Sequence, residues 1–136
     1  MMTRALAGLM LASPLALAAD GSWSSQSFGG TMTRGGQVVK SRPVQSPSPL
    51  ASGATASRAY WKITTSGPTP VGMRIRLCSA ARCLMLPGMA GEIALPTDMS
   101  PGGPFRFEYA TARGGIFSSP VTVLSNALTV AYTSPR

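Results

Sequence analysis

Short segments of this chain alternate strictly between apolar and polar residues, a pattern that predicts half-buried β-strands. The segment 73–78, MRIRLC, places Met, Ile and Leu on one face and Arg74 and Arg76 on the other. The segment 105–111, FRFEYAT, places its three aromatic rings on one face in the same way. Helical periodicity is nearly absent after residue 20. The pattern therefore predicts an all-β fold, a small antiparallel β-sandwich or barrel of about seven or eight strands.

Glycine, proline and serine mark the connections between these segments. We expect turns at Gly35–Gly36, inside a hairpin, at 67–70 (GPTP), and at Ser125–Asn126 between the last two strands. The stretch 41–57, SRPVQSPSPLASGATAS, has few large apolar groups with which to hold a packed position. It is interpreted as an irregular loop inside one domain.

The first 19 residues have the features of a signal peptide. A positive charge at Arg4 precedes an apolar run that is too short to span a bilayer and that ends in small residues, Ala16 to Ala19. We therefore predict cleavage after Ala18 or Ala19, export from the cytoplasm, and a single domain over 20–136. No other stretch is apolar for long enough to predict a transmembrane segment in the mature chain.

The chain is strongly basic, with 12 Lys and Arg against 4 Asp and Glu and a formal net charge of +8. Such a charge favours anionic partners, but export argues against nucleic acid. The basic residues are also spread out, so a solvated basic surface is favoured over a dedicated anion site. The candidate partner-binding residues are Arg74, Arg76 and Arg82, with Trp61 beside them if the strands around 67–70 pair. The alternatives are a solvated strand face for the arginines and a core position for Trp61.

The two cysteines, Cys78 and Cys83, stand five positions apart after a predicted strand. A hairpin with four residues between them brings their Cα atoms within disulfide range, and an exported chain favours oxidation. Redox catalysis is the alternative, but its motifs usually place two residues between the cysteines at a helix start. Two cysteines in a chain without histidine do not complete a zinc site.

Catalytic groups are scarce, since the chain has no histidine and only four carboxylates. Glu92 and Glu108 could pair for glycoside hydrolysis, but Glu108 on a polar strand face is more often a cross-strand partner of an arginine. We therefore predict no enzyme activity and no cofactor, and expect a binding role through a basic face or an exposed β edge, which would also permit self-association. The rival hypothesis is a cell-wall carbohydrate-binding or hydrolytic β-sandwich that uses Trp61.

Five stretches in the central and C-terminal parts of the chain form a recognisable set: GPTPVGMRIRLCSAARC at 67–83, Ala59–Trp61, Pro104–Phe107, Gly114–Gly115 and Leu124–Asn126. Through these residues the chain resembles the flagellar protein FlhE family. The order of a signal peptide followed by a tryptophan near the mature start adds to it.

The resemblance implies a small periplasmic β protein of Gram-negative bacteria that serves flagellum biogenesis and swarming motility. The family is described as restraining proton leakage through the flagellar export gate, and as a chaperone that prevents misplaced assembly of flagellar subunits. The implied partner is a flagellar structural or export-apparatus protein. No catalytic motif belongs to the family, so only Cys78 and Cys83 carry over, as a structural disulfide.

Overall fold

The computed structural model describes residues 20–70, 72–111 and 116–134, and of 116–119 it describes the backbone alone. The predicted signal peptide and Gly114–Gly115 lie outside these ranges. Within them the chain forms nine strands: β1 (Asp20–Ser27), β2 (Gly30–Arg34), β3 (Val39–Lys40), β4 (Thr55–Thr65), β5 (Met73–Cys78), β6 (Cys83–Leu86), β7 (Ala90–Ala94), β8 (Arg106–Thr111) and β9 (Ile116–Thr133).

The strands form two antiparallel sheets. Sheet A has the order β1-β9-β4-β7, and β2 also pairs with β9. Sheet B has the order β3-β8-β5-β6. The two sheets stack with their apolar faces together, which confirms the predicted all-β class and makes the fold a sandwich. Over the described ranges, no helix has the length and apolar character needed to cross a bilayer.

The core lies between the sheets and is dominated by the aromatic residues of sheet B. Phe105, Phe107 and Tyr109 are fully buried, as the alternation in FRFEYAT predicts. Sheet A contributes Trp23, whose ring centroid lies 6.1 Å from that of Phe105. The other large side chains that are fully buried among the described residues are Met32, Val44, Leu77, Met99, Val123, Asn126, Leu128 and Val130.

The C-terminal part of the chain differs from the predicted hairpin at Ser125–Asn126. It forms one continuous strand, β9, that pairs with β1, β2 and β4. Asn126 is fully buried, and its side-chain amide donates to the carbonyl and hydroxyl oxygens of Ser27, at 3.0 and 3.1 Å. The polar pair Ser-Asn therefore marks a contact with β1 inside the strand, and the chain does not turn there.

Two predicted turns connect the sheets and do not form hairpins. The connection at 67–70 leads from β4 in sheet A to β5 in sheet B, and Gly35–Gly36 leads from β2 in sheet A to β3 in sheet B. Gly36 has the positive φ of 76° that its turn requires. The residues of each turn determine that the chain bends there, but not which strand it pairs with afterwards.

The segment 41–57 is irregular up to residue 54, and β4 begins at Thr55. In contrast to the prediction, it holds a packed position. Val44 is fully buried and exchanges two backbone hydrogen bonds with Phe105, at 2.7 and 2.8 Å. Ser41 is also buried, and its hydroxyl accepts a hydrogen bond from the Phe107 amide at 3.0 Å. Val44, with Leu50 packed against the core and Ala56 buried in it, anchors this serine- and proline-rich segment.

Tyr109 has a buried hydroxyl without a hydrogen-bond partner among the described residues. Its ring stacks on Phe107 with centroids 6.5 Å apart, and burial raises the pKa of its phenol. We expect Tyr109→Phe to increase the free energy of unfolding by about 1 kcal/mol at neutral pH, because the variant no longer buries an unpaired polar group. Urea unfolding followed by circular dichroism measures this.

The pH dependence provides a second measurement at the same residue. The raised pKa means that the folded state keeps the proton which the unfolded chain releases above about pH 10, so Tyr109 costs stability progressively above that pH. Tyr109→Phe should therefore show a shallower alkaline decline than the wild type. The exposed Tyr60, changed to Phe, is the control. A Tyr109→Phe protein less stable than wild type would show that the hydroxyl has a stabilising partner.

Candidate functional site

The outer face of sheet B carries a cluster of cations around one carboxylate. Because the alternate residues Ile75 and Leu77 fill the core, the side chains between them on β5 point to solvent. Neighbouring strands add further charges at positions paired with β5 or β8. We call this surface the arginine face; its charged residues are Lys40, Arg74, Arg76, Arg106 and Glu108.

A shallow depression of about 150 Å³ lies in the arginine face. Its apolar walls include Val38 and Met85, whose side chains are 51% and 55% exposed. Met85 points outward because Leu84 and Leu86, its neighbours in β6, face the core. The complete lining is Val38, Arg74, Arg76, Met85, Glu108 and Ala110.

The two arginines of the depression differ in their partners. Arg76 lies opposite Glu108 in the register, and its Nη2 donates to Glu108 Oε1 at 2.6 Å. Arg74 lies opposite Ala110, and among the described residues no carboxylate pairs with it. The guanidinium of Arg74 is therefore free to bind an external anion at the edge of an apolar depression.

The predicted disulfide joins Cys78 and Cys83 at the end of the arginine face. The two residues are directly opposite each other in the β5–β6 register, with Cα atoms 3.9 Å apart. The Ser79 amide donates to the Arg82 carbonyl at 2.8 Å and closes the turn. The Glu108 carboxylate lies within 4.8 Å of both sulfurs. Since the sulfurs are bonded to each other, they offer no thiolate ligand to a metal ion.

Arg82 lies in the turn beside the disulfide, but it contacts a different part of the molecule. Its Nε and Nη2 donate to Asp98 Oδ2 at 3.1 and 2.6 Å. Both side chains are about half exposed, so the pair contributes little to stability. Of the three arginines predicted to cluster, the structure brings Arg74 and Arg76 together and directs Arg82 to the loop after β7.

Trp61 is a core residue and does not lie beside the arginines. Its side chain is 4% exposed, and its Nε1 donates to the Gly88 carbonyl at 2.9 Å. The expected neighbourhood with Arg74 is absent because β4 pairs with β7 and β9 in sheet A, whereas β5 belongs to sheet B. The exposed aromatic residue of β4 is Tyr60, on the outer face of sheet A.

The two glutamates considered for hydrolysis lie on opposite faces of the sandwich. Glu92, in β7 of sheet A, accepts from Arg58 Nε at 3.0 Å. Glu108, in β8 of sheet B, pairs with Arg76 as a cross-strand partner. The core separates the two carboxylates, so they do not share a cleft. The arrangement is suited to recognition and not to paired-carboxylate chemistry.

A second and larger hollow lies between the loops at 45–54 and 100–103. Its volume is about 570 Å³, and serine, proline, glycine and alanine make up most of its wall. Leu50 is its largest apolar residue, and no charged side chain lines it. With neither a charge nor an aromatic ring to orient a ligand, this hollow is a weaker candidate than the arginine face.

Sequence reasoning missed the apolar part of the depression. The alternation in CLMLP could have placed Met85 on the outer face, opposite Arg76. Val38 had no such signal, because it is the first of two adjacent valines and the strand that begins at the second has only two residues. Ala110 lies opposite Arg74 because of the register between β5 and β8, and the local sequence pattern does not predict that register.

Comparison with known proteins gives consistent matches over most of the chain. The family model described as "Flagellar protein FlhE" matches residues 29–133. The flagellar protein FlhE of Escherichia coli (strain K12) is 35% identical over 115 residues, which cover 85% of this chain and 87% of that protein. The FlhE protein of Salmonella typhimurium is 30% identical over 131 residues, covering 96% and 99%.

A solved crystal structure of FlhE has the same architecture. It superposes on this chain with a TM-score of 0.75 and 31% sequence identity, and the match covers 85% of this chain and 99% of the solved one. The similarity in sequence and the similarity in fold therefore point to the same group of proteins.

Proposed function

This chain belongs to the flagellar protein FlhE family, and we propose that it is a non-enzymatic periplasmic accessory protein that binds a flagellar structural or export-apparatus component. In this role it prevents misplaced flagellar assembly or proton leakage through the export gate, and so supports motility and swarming. The contact surface is the arginine face of sheet B.

The observation that carries the proposed contact surface is the guanidinium of Arg74. It has no carboxylate partner among the described residues and stands beside the exposed apolar side chains of Val38 and Met85. An unpaired cation next to an apolar patch is typical of an interface, where aromatic residues, methionine and arginine are enriched. The other two arginines predicted for the site, Arg76 and Arg82, already have carboxylate partners.

The proposed location rests on the N-terminal sequence and on the disulfide. The apolar run of residues 5–17 and the small residues that follow it favour export. The bond between Cys78 and Cys83 is favoured in an oxidising compartment such as the periplasm.

The carbohydrate-binding or hydrolytic alternative has less support. A glycan platform needs an exposed aromatic ring, and Trp61, the residue chosen for it, is buried in the core. Hydrolysis needs two carboxylates across one cleft, and Glu92 and Glu108 lie on opposite faces.

Charge reversal at Arg74 tests the proposed function. We expect the affinity-tagged wild-type chain, crosslinked in motile cells, to capture a flagellar component. Arg74→Glu should reduce the yield of that component about tenfold or more, because it replaces an attraction by a repulsion at the contact. Mass spectrometry of the captured material and swarming on soft agar are the measurements.

Lys62→Glu is the matched control, because it makes the same change of charge on the exposed outer face of sheet A. Arg74 is preferred to Arg76 for the test, since Glu at position 76 would stand against Glu108 and disturb the sheet. Equal thermal stability of both variants shows that neither has unfolded. Failure of the wild-type chain to capture any flagellar component would contradict the proposed function itself.

A further inference from the structure

We propose that the depression on the arginine face binds an acidic peptide segment in which the carboxylates stand on one side of a large aliphatic side chain. This inference rests on the proposed function and identifies the chemistry of its partner. It combines three observations: a guanidinium without a carboxylate partner among the described residues, a depression of side-chain size with three apolar residues in its wall, and a fixed carboxylate on one side of that depression.

The charge of the face selects an acidic partner. The arginine face holds four cations, Lys40, Arg74, Arg76 and Arg106, but only one carboxylate, Glu108. The whole chain carries a formal charge of +8, so the field around it also attracts anions. Arg74 offers the planar donor pair that matches a carboxylate in a bidentate bond.

The size and apolar wall residues of the depression favour an aliphatic side chain. Its volume of about 150 Å³ equals that of a cavity known to hold a benzene-sized group, so it has room for one leucine or methionine. Val38, Met85 and Ala110 supply apolar contacts, and the flexible thioether of Met85 can adapt to the shape of the guest.

Glu108 gives the site a direction. Its carboxylate is tied to Arg76, and both Glu108 and Met85 lie directly opposite Arg76 in the register. Glu108 repels a carboxylate of the partner, whereas Arg74 attracts it. Arg74 lies two residues before Arg76 in β5, and so at a distance from Glu108 along the strand. The partner's acidic residue therefore binds at the Arg74 end, and its aliphatic residue lies over Met85.

The outer face of sheet A offers charged and aliphatic residues that lie away from the depression. On the outer face of sheet A, Arg58 is paired with Glu92, and the exposed aliphatic residue there is Leu124 of β9. Leu124 lines neither of the two hollows described above. Sheet A therefore supplies matched controls for both the charge and the apolar contact.

The test uses the mature chain labelled at its methionine methyl groups and a short synthetic peptide in which glutamates stand on one side of a leucine. We expect a saturable shift of the Met85 methyl resonance, together with shifts of the Arg74 and Ala110 amides. Added salt should lower the affinity measured from these shifts, because salt screens exposed charges. A peptide with lysines in place of the glutamates should produce no shift, and one with serine in place of leucine should bind about tenfold more weakly.

Four variants locate the contact. Arg74→Glu and Met85→Ser should each lower the affinity for the peptide about tenfold or more. Lys62→Glu and Leu124→Ser make the same chemical changes on sheet A and should leave the affinity within about twofold, because exposed positions away from the contact contribute little. Circular dichroism of all four confirms that they are folded.

Two results would overturn the inference. One is equal weakening by the Arg74 and Lys62 variants, which would mean that only net charge matters. The other is binding to vesicles that contain phosphatidylglycerol without any binding of the acidic peptide, which would assign the face to a lipid surface. If the wild-type chain captures a flagellar component in cells and the peptide still fails to bind, the proposed function stands and this partner chemistry is wrong.

Discussion

Trp61→Ala is expected to destabilise the protein by about 3 to 5 kcal/mol, the loss typical of a large aromatic side chain removed from a core. Trp61 is 4% exposed, and its ring lies so close to β7 that a Cβ added at Gly91 would be 3.3 Å from it. The change also leaves the Gly88 carbonyl without its indole donor. Chemical unfolding monitored by circular dichroism measures the loss.

The neighbouring aromatic residue is the control for this prediction. Tyr60 is 41% exposed on the outer face of sheet A, so Tyr60→Ala should cost much less than Trp61→Ala. Trp61→Phe should lie between the two, because it keeps part of the ring packing but not the hydrogen bond to Gly88. A Trp61→Ala protein that remains as stable as wild type would show that the side chain is not part of the core.

Removing the disulfide is expected to cost about 2 kcal/mol, the loop-entropy value for so short a ring. The double variant Cys78→Ala, Cys83→Ala should keep its fold, because the core between the sheets does not depend on the turn. The cost is moderate because the turn retains the hydrogen bond from Ser79 to Arg82. Urea unfolding of the wild-type and variant proteins gives the difference.

Treatment with a reductant tests the effect of the disulfide bond without changing the cysteine side chains to alanine. Wild-type protein treated with dithiothreitol should lose about the same free energy as the double variant, because both lack the cross-link. The double variant itself should not respond to the reductant. Identical unfolding curves for oxidised and reduced wild-type protein would show that the bond between Cys78 and Cys83 does not stabilise the fold.

The sequence predicted best the features that depend on neighbouring residues. The alternation in MRIRLC and FRFEYAT correctly assigned the inner and outer faces of β5 and β8, because successive side chains of a strand point to opposite sides. The same rule placed Arg74 and Arg76 on one outer face. The pairing of Glu108 with an arginine also followed, since opposite charges favour cross-strand positions.

Features that depend on which strands pair could not be predicted. The turn at 67–70 suggested that Trp61 lies near Arg74, but the chain crosses to the other sheet there. Likewise, Ser125–Asn126 has the composition of a turn, yet the side-chain nitrogen of Asn126 donates to Ser27, which is 99 residues away in the sequence. Such long-range partners decide the outcome, and local propensity carries no information about them.

The candidate site shows the same division. Its cations could be predicted, because charges on alternating positions are visible in the sequence. Its depression could not, because Val38 before β3, Ala110 of β8 and Met85 of β6 are brought together only by the pairing of the strands in sheet B. Only the three-dimensional arrangement shows that Arg74 stands beside the exposed Val38 and Met85, and that no carboxylate within the described parts of the chain pairs with it.

The central claim is that the arginine face contacts a flagellar component, and site-specific photocrosslinking in motile cells tests it most directly. A photoreactive amino acid at Val38 lies in the wall of the depression, and one at Leu124 lies on the opposite sheet with the same exposure, 51%. The account predicts a covalent adduct with a flagellar structural or export-apparatus protein from position 38 and none from position 124. Adducts from position 124 alone, or equally from both, would contradict it.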